Sequence, residues 1–232
     1  MHELWKTLAG PRGLTVDQID AMEQYLVLLK EANEVMNLTR VTDPEQGRII
    51  HVADALTLLE YIPPETKLLA DVGSGGGVPG IILAIALPET KVVLIESTQK
   101  KAAFLRETSR ALGARNVQVR PDRAEFVGRS DLRDACDVVT ARAVGPMNWL
   151  LEWCLPLVRK GGKLLAMKGP RLAAELPEAE RALHACHGGP PVIHPVTSLP
   201  GQDAHVICEI AKLGRTDPTL PRDVTLAKGK PL

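Results

Sequence analysis

The spacing of apolar positions along the chain changes once, near residue 66. Between residues 15 and 36, Ile19, Met22, Tyr25, Leu26, Leu29 and Ala32 recur at helical spacing, which gathers them on one helix face. Thr15 and Asp17 stand where an N-terminal cap is needed. The pattern stops at Asn37-Leu38-Thr39, where Asn37 can cap the C-terminus. A second helix is expected over 44–59, with Ile49, Val52, Leu56 and Leu59 along one side and Pro63-Pro64 stopping it. Beyond residue 66 short apolar runs alternate with helical patterns. Strands are expected at 67–72, 91–95, 117–120, 137–141 and 163–167, and helices at 79–87, 99–112, 146–158 and 171–184. Such alternation predicts a parallel sheet covered on both faces. Two last strands, near 191–195 and 205–212, have no helix between them and predict a hairpin that makes the final strand antiparallel. The expected division is a helical extension over 1–66, an α/β domain over 67–213, and an extended basic tail over 214–232.

Composition narrows the setting. The 232 residues suit one domain with a small appendage. No apolar run approaches the ~18 residues of a membrane span, and the opening MHELWKTLAG lacks the basic and apolar stretches of a secretory leader. A cytoplasmic protein with no membrane contact is expected. Cys136, Cys154, Cys186 and Cys208 form no Cys-x-x-Cys pair and read as small buried hydrophobes, with no metal site. Basic and acidic residues balance at 28 each, so any nucleic-acid contact must rest on a local basic surface. Three tryptophans, two tyrosines and two phenylalanines are too few for an aromatic stacking platform.

The densest chemical signal is Asp71-Val72-Gly73-Ser74-Gly75-Gly76-Gly77-Val78-Pro79-Gly80, which follows an apolar strand and opens a helix. Glycines let a backbone turn sharply and approach a ligand closely. The position, at the carboxyl end of the first strand, is where open α/β sheets bind ligands. Gly75, Gly77 and Gly80 satisfy the dinucleotide spacing G-x-G-x-x-G. Asp71, Gly73, Gly75 and Gly77 also satisfy D-x-G-x-G-x-G, a methyltransferase pattern. Asp71 favours the second: a carboxylate there repels a pyrophosphate and suits the ammonium and sulfonium of S-adenosylmethionine, directly or through water. Glu96, at the end of the second strand, can accept from both ribose hydroxyls of either cofactor. The 122–125 turn, with Ala124 and Glu125, lies where an adenine edge would be read. A mostly parallel sheet with a late antiparallel strand fits a Rossmann-like class I methyltransferase, seven-stranded and fronted by a small helical extension. A nicotinamide-dependent oxidoreductase and a methyltransferase of a small molecule or protein stay open at this point.

After the fourth strand comes Arg142-Ala143-Val144-Gly145-Pro146, without the Asn/Asp-Pro-Pro-Tyr of enzymes that methylate planar amino groups. No cysteine is placed as a covalent nucleophile. An acceptor that is already nucleophilic fits best.

These features together resemble the bacterial ribosomal small-subunit methyltransferase G (GidB) family over nearly the whole chain. The resemblance rests on Asn37-Leu38-Thr39, His51-x-x-Asp54, Asp71 through Gly80, Arg123-Ala124-Glu125, Ala141-Arg142-Ala143, Met167-Lys168-Gly169-Pro170 and the Lys228–Leu232 ending. The chain departs from common members with Ala55 and Val78, where Ser and Phe are frequent. The resemblance implies methylation of guanine N7 in 16S ribosomal RNA, within the small subunit or an assembly intermediate, by a monomer using S-adenosylmethionine. It assigns cofactor contacts to Gly73, Val78, Ala124, Glu125 and Arg142. His51 and Asp54 share a helix face, either as a structural pair or facing the cleft, and join Arg142 as catalytic candidates. Arg142 can hold the methionine carboxylate or guanine O6. Lys168, Arg171, Lys228 and Lys230 are the candidate RNA phosphate contacts.

Overall fold

The computed structural model describes residue 5, residues 13–196 and residues 205–232. The rest of the 1–12 stretch and the 197–204 segment of the expected hairpin lie outside the described residues. Helix α1 (Val16–Met36) starts at a capping box in which Thr15 and Gln18 bond each other's backbone N–H, and ends at Asn37 with φ 50°, as its sequence signals predict. The Gln18 amide also donates to the carbonyls of Ile85 and Ala86, which close helix α2 (Gly80–Ala86).

The expected 44–59 helix is instead a composite. Asp43 caps a helical turn at Pro44–Gly47, π-helix follows over Arg48–Ala53, α-helix over Asp54–Leu56, and 3-10 helix over Thr57–Glu60. Arg48 donates to both carboxylate oxygens of Glu23, at 2.6 and 3.0 Å, pinning the start of the π turn to α1. A π turn accommodates an extra residue per turn and re-aims the side chains it carries.

The sheet has seven strands in the order β3-β2-β1-β4-β5-β7-β6. They are β1 (Leu68–Val72), β2 (Lys91–Ile95), β3 (Val117–Arg120), β4 (Cys136–Arg142), β5 (Val158–Lys168), β6 (Val192–Pro195) and β7 (Val206–Ala211). The first five run parallel. β7 is antiparallel to both β5 and β6, so the predicted hairpin exists with its last strand inserted beside β5. Side chains of β1 alternate between two cores: Leu69 joins the one built with α1, the 44–60 segment, α2 and α3 (Gln99–Ala111). Ala70 and Val72 join the other, with α4 (Met147–Cys154) and α5 (Leu172–Ala185).

Three expectations are corrected. The helix expected over 146–158 ends at Cys154, because a 3-10 turn at Leu155–Leu157 containing Pro156 hands the chain straight to β5. A proline there has no N–H to continue a helical ladder. The described part of the 1–66 stretch does not stand apart from the α/β domain: Trp5, Ile19, Met22, Tyr25 and Leu29 are buried in the same core as Leu69 and Leu94. The 214–232 stretch is not an extended tail. Arg133 donates to the carbonyls of Thr216, Asp217 and Leu220, Arg129 to those of Thr219 and Pro221, and helix α6 (Val224–Gly229) follows. Arg222 forms a bidentate pair with Glu152, which is 1% exposed.

Candidate active site

β1 and β4 lie side by side at the centre of the sheet, and the chain leaves them in opposite directions. This is the switch point where an open α/β sheet forms a crevice. The glycine loop fills one lip of it. Gly73 and Ser74 donate to the carbonyl of Ile95 at 2.9 and 3.1 Å, tying the loop to the end of β2. Gly73 has φ +70°, and a Cβ there would lie 2.7 Å from Val144. Gly75, at φ +55°, has nothing closer than the Gly73 carbonyl at 3.7 Å from where its Cβ would be. The space over Gly75 is open, whereas Gly77 and Gly80 are packed from beneath by Ile81, and by Leu94 and Asp71.

Glu96 crosses from β2 to this loop. Its Oε2 accepts from Gly75 N–H at 2.9 Å and its Oε1 from Thr98 N–H at 2.7 Å. Two cavities meet at Gly73 and Glu96. The smaller, about 160 Å³, is lined by Ser97, Asp122, Ala124, Glu125, Val144, Trp153, Val224 and Lys228 among others. Glu125 is 4% exposed, and its Oε1 has no hydrogen-bond partner among the described residues, the Arg123 guanidinium standing 4.0 Å away. The larger, about 510 Å³, is lined by Leu29, Thr39, Arg40, His51, Gly75, Val78, Lys101 and Arg142 among others. A cradle of small residues, a carboxylate at the junction and an unsatisfied carboxylate oxygen at one end match an adenosine joined to an amino acid. The residues present therefore fit S-adenosylmethionine.

Arg142 ends β4 and is followed by Ala143 in a left-handed conformation, φ 56°, a backbone strain that in non-glycine residues often marks a working site. Its Nη2 lies 3.5 Å from Asp54 Oδ2, while its Nη1 is buried without a hydrogen-bond partner among the described residues. His51 Nε2 pairs with Thr39 Oγ at 3.0 Å. Burial, helped by the Arg142 charge, pushes the His51 pKa down to about 4. His51 lines the larger cavity, so of the two readings it faces the cleft; Asp54 is 1% exposed beneath it.

The structure brings together Gly73, Gly75, Val78, Glu96, Ala124, Glu125, Arg142 and His51 around these two cavities. Three expectations change. Asp71 lines neither cavity. It is 1% exposed beneath the loop, its Oδ1 accepts from Thr140 Oγ at 2.8 Å, and burial pushes its pKa up to about 6. Direct contact with a ligand is thus replaced by support of the loop from below. Lys168 is not a free phosphate contact: its ammonium is held by the carboxylate of Glu175 and the carbonyl of Gly145. Lys228 lies over the rings of Trp149 and Trp153, at 5.2 and 5.6 Å, on the wall of the smaller cavity. Arg171 and Lys230 are exposed.

Sequence reasoning missed Tyr25, whose hydroxyl reaches from α1 to donate to the Gly76 carbonyl at 2.8 Å. It also missed Thr140, Trp153, Arg40, Lys101 and His205. Helical periodicity marked Tyr25 as apolar core, and its polar end carried no separate signal. All four cysteines are buried and burial pushes their thiols up, which removes them as nucleophiles.

A family model described as rRNA small subunit methyltransferase G (GidB) matches residues 18–198. The Ribosomal RNA small subunit methyltransferase G of Sorangium cellulosum is 48% identical over 175 residues, covering 74% of this chain and 73% of that protein. That of Moorella thermoacetica is 38% identical over 226 residues, 95% of this chain and 93% of that protein. Among solved structures, an O-methyltransferase from Bacillus cereus in complex with SAH aligns with a TM-score of 0.58 at 17% identity, covering 82% of this chain and 91% of that one. A precorrin-6y C5,15-methyltransferase from Geobacter metallireducens aligns with a TM-score of 0.50 at 19% identity, covering 74% and 90%. The two structures bear on the fold alone, and that fold is the Rossmann-like class I S-adenosylmethionine-dependent methyltransferase. The sequence relatives decide between the methyltransferase and nicotinamide readings that the glycine loop left open: the chain belongs to the rRNA small subunit methyltransferase G (GidB) family.

Proposed function

We propose that this chain methylates N7 of a guanosine in 16S ribosomal RNA, using S-adenosylmethionine. One observation carries the choice of acceptor. The larger cavity is lined by Arg40, Lys101, Arg142 and an imidazole held neutral well above its pKa of about 4. It is basic enough to receive a polyanion, and its histidine is a poor proton acceptor at neutral pH. Guanine N7 has an in-plane lone pair, no proton to lose, and an edge reachable from the major groove. Bound S-adenosylmethionine supplies an electrophilic methyl group on a sulfonium. Glu96 is assigned to the ribose hydroxyls, Ala124 and Glu125 to the adenine edge, Gly73, Gly75, Gly77 and Val78 to the loop that cradles the donor, and Arg142 to its carboxylate. His51 and Asp54 shape the acceptor side. With no proton to move, the protein's task is orientation, which in favourable models supplies up to roughly 7–11 kcal/mol of a barrier.

Arg40 and Lys101 replace Lys168 as the proposed phosphate contacts nearest the cleft, with the exposed Arg171 and Lys230 as further candidates. We extend the proposal to a monomer working in the cytoplasm on RNA within the small subunit or an assembly intermediate. Light scattering of the purified protein tests the first part, and methylation of subunits against naked RNA the last.

The decisive experiment is mass mapping of methylated 16S RNA from cells with and without this gene. A guanine N7 methyl group that disappears with the gene is expected; an unchanged map rejects the reading. Single-turnover transfer with RNA bound should also be nearly flat from about pH 8.5 down to about pH 4. A rate that falls with pH through the His51 pKa of about 4, a fall that His51→Asn abolishes, would make His51 a base and end the proton-free mechanism.

A further inference from the structure

Asp54 is 1% exposed, and neither of its carboxylate oxygens has a hydrogen-bond partner among the described residues. A buried carboxylate in that condition is costly unless charge compensates it. Two groups stand at the same distance on either side. Arg142 Nη2 is 3.5 Å from Oδ2, and His205 Nδ1 is 3.5 Å from Oδ1. His205 comes from the far end of the chain. It directly precedes β7, whose Val206 pairs with Lys168 at the carboxyl end of β5, so the antiparallel insertion delivers it to the crevice. Asp54 opens the turn that follows the π-helical segment. The Arg142 guanidinium has its other nitrogen, Nη1, buried and unpartnered among the described residues. Both contacts are longer than a formed charge-assisted hydrogen bond of about 2.7–2.9 Å. Such contacts are often loose before a ligand binds and tighten afterwards.

We propose that Asp54 holds the Arg142 guanidinium, and His205 in turn holds Asp54, as positioning residues, so that Nη1 receives the carboxylate of the amino-acid end of the methyl donor. This rests on the donor assignment made above. Asp54 holds Nη2 and leaves Nη1 for the ligand. It also offsets the charge of Arg142 beside a ligand whose sulfonium is positive. His205, partly exposed, secures the second oxygen and keeps the carboxylate from turning away.

Two probes separate positioning from general damage. S-adenosylhomocysteine carries the amino-acid carboxylate; 5′-methylthioadenosine shares the adenosine and sulfur but lacks it. By calorimetry, Asp54→Asn should weaken S-adenosylhomocysteine roughly 10- to 100-fold, the scale seen when a residue that orients another is lost. It should leave 5′-methylthioadenosine within about twofold. His205→Gln, at a partly exposed side chain and no threat to folding, should shift the same ligand in the same direction by less. In an Arg142→Lys background, Asp54→Asn should add little further loss, since coupled groups are non-additive. Equal losses for the two ligands, fully additive losses, or no loss in either variant would overturn the proposal. Wild-type protein that binds neither probe would reject the donor assignment itself, and with it this inference.

Discussion

Individual residues of the glycine loop do different work, although the motif writes them alike. Gly75 faces open space but stands at φ +55°, so Gly75→Val should remove S-adenosylmethionine binding and cost about 1–3 kcal/mol of backbone strain without unfolding the protein; calorimetry showing normal affinity in a folded variant would take Gly75 out of the site. Gly77 has φ +102°, and a Cβ there would meet Ile81 at 2.7 Å. Gly77→Ala should therefore lower stability, by about 1–3 kcal/mol from backbone strain alone, as read by urea unfolding. Two buried groups near the loop titrate in opposition. Asp71 has its pKa raised from 3.8 to about 6 by burial. Between those values the folded protein keeps a proton the unfolded chain has lost, so this contribution to stability is present below pH 3.8 and lost as pH rises to about 6. His51 has its pKa lowered from 6.5 to about 4, so its contribution is present above pH 6.5 and lost as pH falls through that interval. Relative to wild type, Asp71→Asn should make stability rise more steeply with pH between 4 and 6, and His51→Asn should make it fall. Unfolding curves at several pH values check both signs, and the same sign in both variants would contradict the assignments.

Among the elements, the C-terminal segment departs most from its composition. Lys, Arg and Pro suggested a free basic arm, yet Arg222 spends its charge on Glu152, whose side chain is 1% exposed. Removing one partner of such a pair leaves a buried unpaired charge, which typically costs about 3–5 kcal/mol. Arg222→Ala should therefore destabilise the fold on that scale at neutral pH, measured by thermal or urea unfolding, where an exposed tail arginine would cost almost nothing. The 44–60 segment makes the complementary point. Its apolar spacing suggested one regular helix, and the π turn within it places His51 on the cleft wall and Asp54 against Arg142.

The whole molecule carries no net charge, so its attraction to RNA must come from where the cations lie. Arg40 and Lys101 line the acceptor cavity, whereas Lys168 is paired. Each phosphate contact removed lowers the dependence of binding on salt by about one unit of the log–log slope. Replacing both Arg40 and Lys101 by Ala should thus reduce that slope by about two, and Lys168→Ala should leave it unchanged while lowering stability. Titrations of RNA binding across salt concentrations distinguish the two surfaces, and the reverse pattern would return the footprint to Lys168.

The order of strands and helices, the antiparallel end of the sheet, the Asn37 cap and the loop flanked by Asp71 and Glu96 were legible from the sequence alone. Each depends on local periodicity, turn chemistry or glycine spacing, which neighbouring residues write together. Only the tertiary structure decided that Asp71 supports the loop from beneath, that Tyr25 in the first helix holds Gly76, and that Arg142 and His205 converge on Asp54. It also decided that Lys168 and Arg222 are partnered cations. Burial and pairing are set by residues as distant as Glu152 from Arg222 or Asp54 from His205, and side chains whose neighbours are brought together only by folding leave no mark on one another in the order of the chain.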